Sequence, residues 1–237
     1  MAKQDRAIRT RQNILRAAAK IFEEYGYEAT TISEILAEAG VTKGALYFHF
    51  QSKEQLAQGV LNEQDTGFVV PARACKVQEI VDAAMLHAYR LQTDPMVRAS
   101  VRLAMDQRAT SLDRAAPFLN WCELAQDLLA QAQTQGELLS HISTKESANV
   151  FVGAFGGVQS MSQALNDYAD LLDRVSDLMR HLLPSVAQPS VIASLHMSAS
   201  RGAEVYQEAL QLTKEHETAA APGKNTDKPN HLTPKTT

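Results

Sequence analysis

The chain has little of what most secreted proteins and enzymes display. Only two cysteines, Cys75 and Cys122, occur in 237 residues. They are too few for a disulfide framework and lack the CxxC spacing of a metal site, so both read as buried thiols of a reducing cytoplasm. The seven histidines are scattered without metal spacing, and GxSxG, HExxH, GxGxxG and Walker patterns are all absent. An enzyme is therefore not expected, nor is a cofactor. No run approaches the roughly 20 apolar residues of a membrane span, and no early segment has the apolar core of a signal peptide, so a cytoplasmic protein without a membrane partner is expected. Strands of alternating pattern and repeats of fixed period are missing too.

What is there is an ordinary globular composition, 45% apolar, which excludes disorder for most of the chain. The net charge of −4 hides an asymmetry. Residues 1–53 carry eight Lys/Arg against six Asp/Glu, and the surplus sits in residues 1–20, where Lys3, Arg6, Arg9, Arg11, Arg16 and Lys20 face only Asp5. A basic patch on an acidic chain points to a polyanion held by one part only. A non-specific DNA-compacting protein, which relies on many phosphate contacts, does not fit that balance.

The apolar residues recur with helical period almost throughout, and the expected fold is all-α. Ile14, Leu15, Ala18, Ile21, Phe22 and Tyr25 mark a helix over about 8–25 that Gly26 stops. Thr31-Ile-Ser-Glu34 is a capping box opening a short helix that ends at Gly40, Thr42 can cap another ending near His49, and Ser52-Lys-Glu-Gln55 opens a third towards Phe68. Beyond Pro71 the pattern predicts amphipathic helices over about 75–92, 96–109, 117–134, 145–168, 170–183 and 190–214. The segment 218–237, with three prolines and Leu232 as its one large apolar side chain, reads as a disordered tail.

The two short helices flanking Gly40 form a helix-turn-helix. Leu46 and Phe50 turn inward, while Lys43, Gly44, Tyr47 and Phe48 lie on the other side. Gly44 costs about 1 kcal/mol relative to alanine inside a helix, which makes sense if something must approach the backbone closely. Thr42, Lys43, Gly44 and Ala45 suit the N-terminal end of a recognition helix, where backbone amides favour phosphate. Lys43 can reach a guanine edge or a phosphate, Tyr47 and His49 can donate to phosphate oxygens, and Phe48 or the Ala45 methyl can touch a thymine methyl. Thr31 and Lys53 would pin the DNA backbone on either side, with Arg6 from the basic arm. Many helical proteins contain two short helices and a Gly turn, so the pattern becomes informative only beside that basic arm.

The run from Arg9 to Gln58, and VTKGALYFHFQSKEQL within it, resembles the DNA-binding domain of the TetR family of bacterial repressors. Pro117-Phe-Leu-Asn-Trp121, Gly153 to Leu165 (GAFGGVQSMSQAL) and His181-Leu-Leu-Pro184 resemble the γ-butyrolactone receptors of streptomycetes. This implies a helix-turn-helix DNA-binding domain over 1–53, a ligand-binding and dimerisation domain over 54–217, and a homodimeric repressor that binds a double-stranded, pseudo-palindromic operator. A γ-butyrolactone would release it, placing secondary metabolism under its control. Another small molecule such as a butenolide, a furan or an antibiotic intermediate is the alternative. A lactone-processing enzyme using Cys122 or Ser160 near a base such as His87 is more remote.

Trp121 is the only tryptophan. In an apolar stripe with Phe118, Leu124, Ala125 and Leu128 it reads as core; the resemblance implies that it lies against ligand. Met85, Met105, Phe155, Val158 and Met161 are candidates for an apolar tunnel, and Gln64, Gln159 and Ser162 for polar contacts. Gly153, Gly156 and Gly157 fit either close helix packing or room for ligand. Ile192, Leu195, Ala199, Gly202, Tyr206 and Leu210 form a stripe that could be buried within its own subunit. The resemblance instead implies a four-helix dimer interface made with the 145–168 helix.

Overall fold

The computed structural model describes residues 2–63 and 69–220, whose order is α1 (Ala2–Ala29), α2 (Ile32–Ala39), α3 (Lys43–His49), α4 (Lys53–Glu63), α5 (Lys76–Thr93), α6 (Pro95–Met105), α7 (Ala116–Thr134), α8 (Thr144–Asn166), α9 (Leu171–Leu182), α10 (Pro189–Ile192) and α11 (Arg201–Ala220). A turn of 3-10 helix follows α9, and an isolated bridge joins Leu138 to Ala187; no strand occurs among the described residues. The fold is all-α, as the periodicity requires.

Local chemistry sets most of the ends. Gly26 breaks the helical path of α1 with φ 79° and ψ 176°, after which one turn resumes to Ala29. The Thr31–Glu34 capping box opens α2, and Gly40 closes it in the left-handed region, where glycine has no Cβ penalty. Thr42 and Ser143 cap α3 and α8, and Asp94 caps α6 with Pro95 in its first turn. The cap of α5 comes from far along the chain: the Glu137 carboxylate accepts from Lys76 N at 3.0 Å and Val77 N at 2.9 Å.

Two cores result. In the first, Leu15, Phe22, Ile35, Leu46 and Phe50 pack with Leu56, Val60 and Leu61 of α4 and with Ala99 and Leu103 of α6. The N-terminal core thus runs past residue 53 and takes in α4. The second gathers α5, α7, α8 and α9 around Val81, Leu91, Leu129, Leu171 and Val175. Helix α6 belongs to both, supplying Val97 and Val101 to the second. Ser100 Oγ donates to Leu61 O at 3.2 Å, joining α6 to α4, while Arg98 and Arg102 bond the Glu23 carboxylate and carbonyl of α1.

The helix expected over 190–214 is two helices. Between them the backbone of 196–197 is captured by neighbours: His196 N donates to Gln78 Oε1 at 2.8 Å, and Ser176 Oγ donates to Met197 O at 2.5 Å. Side chains of α5 and α9 thereby satisfy groups that a continuous helix would have bonded internally. Helix α11 reaches Ala220, so the first residues assigned to a tail are helical; 221–237 lie outside the described residues. Helix α4 is described to Glu63, and the expected continuation towards Phe68 lies in 64–68, also outside the described residues.

Candidate functional site

Helices α2 and α3 present an open surface. Phe48 is 79% exposed and Tyr47 41%, although Leu46 on the same helix and Phe50 at its C-terminal cap are buried. Lys43 Nζ stands 5.8 Å from the centre of the Tyr47 ring, and Phe48 meets His49 edge-on. A Cβ at Gly44 would touch nothing within 4 Å, so nothing inside the subunit requires a glycine there. Arg6 is exposed, and Ala45 and His49 are half-buried. Two candidates have partners within the subunit. Lys53 donates to Tyr27 O at 2.8 Å and Thr30 O at 3.0 Å and lies over the Tyr27 ring, so its ammonium ties α4 to the α1–α2 junction. The Thr31 hydroxyl both accepts from Glu34 N and donates to Glu34 Oε2, and is thus already engaged in the helix cap.

In the C-terminal half, α5, α6, α7 and α8 line an apolar cavity of about 100 Å³. Trp121, Met105, Phe155 and Gln159 line it as expected, joined by Val101, Leu128, Phe151 and Met179. Helix α5 contributes Ile80, Ala83, Ala84 and His87, one face at helical spacing. The His87 ring lies 4.9 Å from that of Trp121 and 5.5 Å from that of Phe155. Burial, helped by the Arg90 charge, pushes its pKa down to about 3, so the imidazole is neutral at physiological pH. The Trp121 indole Nε1 is buried without an acceptor among the described residues. Among the described residues, no charged side chain lines the cavity.

The other ligand candidates lie elsewhere. Met85 is buried on another side of α5, where its carbonyl oxygen would stand 3.0 Å from a Cβ placed at Gly202. Val158 packs at the edge of the second core. Ser162 donates to Asp170 at 2.6 Å, a bond that, after that from Arg174, holds this carboxyl well below the usual range. Met161 is 54% exposed on the outer face of α8. Gln64 lies outside the described residues. His87 is the residue sequence reasoning missed as a cavity group; its place on the Ile80–Ala83–Ala84 face was the available signal.

Part of the stripe on the last helix has partners within its own subunit. A Cβ at Gly202 would fall 2.6 Å from Leu172 Cδ2, and the Tyr206 ring lies 5.0 Å from Tyr89. Ile192 and Leu195 pack against the second core, while Ala199 and Leu210 are half-buried. The stripe packs within its own subunit at these contacts. Arg201 fastens α11 by bonding Asp82 at 2.9 and 2.8 Å, and Arg73 reaches the same carboxylate at 2.6 Å. Burial alone would raise the Asp82 pKa, but the bonds from Arg201, Gln78 and Arg73 hold it low. Helix α8 carries an uncovered apolar face, with Val150, Met161 and Leu165 exposed and Gly153 and Gly157 between them. Gly156, by contrast, lines the cavity.

Residues 14–60 match the family described as "Bacterial regulatory proteins, tetR family". The A-factor receptor protein of Streptomyces griseus is 40% identical over 195 residues, which cover 82% of this chain and 70% of that protein. The chain belongs to the TetR family. Among solved structures, the TetR regulator TylP of Streptomyces fradiae superposes with a TM-score of 0.77 at 48% identity, covering 88% of this chain and 93% of that one. A γ-butyrolactone receptor described as ArpA-like superposes with a TM-score of 0.61 at 28% identity, covering 86% and 98%. This TetR-type transcriptional repressor is accordingly a DNA-binding regulator rather than an enzyme. None of its described helices is long and apolar enough to cross a membrane.

Proposed function

We propose that this protein is a cytoplasmic repressor that binds a pseudo-palindromic operator as a homodimer and is released by a γ-butyrolactone, with antibiotic production among the processes it controls. The observation that carries the ligand half is the charge-free cavity with the Trp121 N–H left without an acceptor. A buried donor without a partner costs about 1–3 kcal/mol, which an acceptor on a ligand recovers. Kinship with the A-factor receptor and the γ-butyrolactone receptor favours a lactone as that ligand.

On the DNA side, Lys43, Tyr47 and Phe48 contact the major groove or its phosphates, Thr42, Gly44, Ala45 and His49 seat α3 against the backbone, and Arg6 adds an outer phosphate contact. The dimer forms through the uncovered face of α8, which would otherwise leave Val150, Met161 and Leu165 in water. Two-fold symmetry then presents two α3 helices to grooves about 34–36 Å apart.

Coupling runs through α6. Val101 and Met105 line the ligand cavity and also a polar cleft beside Tyr25, Gly26 and Tyr27 at the end of α1. Ligand pressing on them displaces the helix to which α1 and α4 are bonded and changes the separation of the reading heads, so ligand and DNA weaken each other reciprocally. Replacing Trp121 by alanine is the test. The variant should bind the operator as the parent does but stay bound when γ-butyrolactone is added in a mobility-shift assay. Release at the parental lactone concentration would reduce Trp121 to a packing residue.

A further inference from the structure

The cavity holds three polar side chains from three different helices: His87 from α5, Trp121 from α7 and Gln159 from α8. His87 and Gln159 are both more than nine-tenths buried, and the Trp121 Nε1 has no acceptor among the described residues. Neither His87 nor Gln159 makes a hydrogen bond within the described residues, while neighbouring polar groups do: Ser162 bonds Asp170, and Gln92 bonds Tyr168 O. All three can donate without bearing charge, since the indole is a donor only, the amide carries two N–H groups and a neutral imidazole carries one. Burial keeps the imidazole in that neutral form.

We propose that His87 is a specificity-determining residue which, with Trp121 and Gln159, selects an uncharged ligand bearing a carbonyl acceptor and rejects the same molecule once its ester is opened to a carboxylate. This rests on the reading of the cavity as the ligand site. The reason is desolvation. A neutral carbonyl entering the cavity exchanges water for waiting N–H donors, whereas a carboxylate must leave water for a lining with no lysine or arginine among the described residues to balance it. His87 could supply a countercharge only by taking up a proton at its buried position between the Trp121 and Phe155 rings. Ring opening would thus end the signal without any change in the protein.

Because Trp121 is the only tryptophan and sits in the cavity, its fluorescence reports occupancy directly. The full chain is titrated with γ-decalactone, with its ring-opened γ-hydroxydecanoate, and with the hexyl-substituted tetrahydrofuran that is the same lactone without its carbonyl oxygen. The lactone should bind at least about 100-fold more tightly than the hydroxy acid and about 10-fold more tightly than the ether, the second ratio being one hydrogen bond's worth. His87→Phe should narrow the gap between lactone and ether, leaving the share that Trp121 and Gln159 contribute, while His87→Gln, which keeps an uncharged donor, should restore it. Mere packing by His87 would weaken all three probes together, and that result overturns the proposal. Equal binding of lactone and hydroxy acid by the parent protein also overturns it but leaves the ligand site standing. If none of the three probes changes Trp121 emission, the proposal and the ligand-site reading fall together.

Discussion

At the DNA-reading end the functional side chains stand outside the fold: Tyr47 and Phe48 are exposed, and a Cβ at Gly44 would meet open space. In the C-terminal half they face inward, with His87 and Gln159 buried around a cavity lined by no charge. The same contrast divides α5 itself, because one face supplies His87 to the cavity while another carries Asp82, bonded by Arg73 and Arg201. A surface that meets a polyanion works through exposed donors and screened charge. A site for a neutral molecule works by keeping charge out, and this chain places its buried ion pairs away from that site.

The largest effect should come from breaking the charged face of α5. Asp82→Ala would leave two arginines around a missing anion, and the loss of a buried pair's partner costs about 3–5 kcal/mol. Urea denaturation should show an unfolding free energy lower by that amount, with Trp121 fluorescence as the probe.

Next, Lys43→Ala combined with Tyr47→Ala attacks the exposed side. Operator affinity should fall about 100-fold, or about 3 kcal/mol, in fluorescence anisotropy with labelled duplex, while the dimer and its thermal midpoint stay unchanged.

A smaller effect follows from His87. Its folded pKa of about 3 lies below its ordinary value of 6.5. The unfolded chain therefore binds the extra proton first, and the associated stability is fully present above about pH 6.5 and is lost as pH falls towards 3. The slope from this residue is about 1.4 kcal/mol per pH unit inside that window. Thermal melts of His87→Gln between pH 6.5 and 4.5 should be flatter than those of the parent; parallel curves would mean that His87 is already protonated in the native state. Smallest of all, removing residues 221–237 should alter neither operator affinity nor lactone release in the same assays.

The sequence made the helical elements of the reading head legible because each signal there is local. The Thr31–Glu34 box, Gly40 and Thr42 act within four residues of themselves, and α2 and α3 follow. Trp121 and Phe155 reach the cavity because helical spacing turns them inward. What escaped depends on partners distant in sequence. Lys53 resembles a phosphate-binding lysine until the carbonyls of Tyr27 and Thr30 fold beneath it. Nothing in Ala193 to Ser200 forbids helix; Gln78 and Ser176 break it from outside. Gly202 and Gly157 look alike in the chain, yet one lies against Leu172 and Met85 while the other sits on the outer face of α8. Met161 and Ser162 differ by one position, and that rotation sends one to the surface and the other into a bond with Asp170.

The central claim is that occupancy of the inward-facing site controls the outward-facing one. Its most direct test is the affinity of the purified protein for a pseudo-palindromic duplex from its own upstream region, measured across salt concentrations with and without γ-butyrolactone. The account predicts a specific complex whose affinity falls steeply with salt and drops at least about tenfold when lactone is present. A specific complex whose affinity is the same with saturating lactone would contradict it.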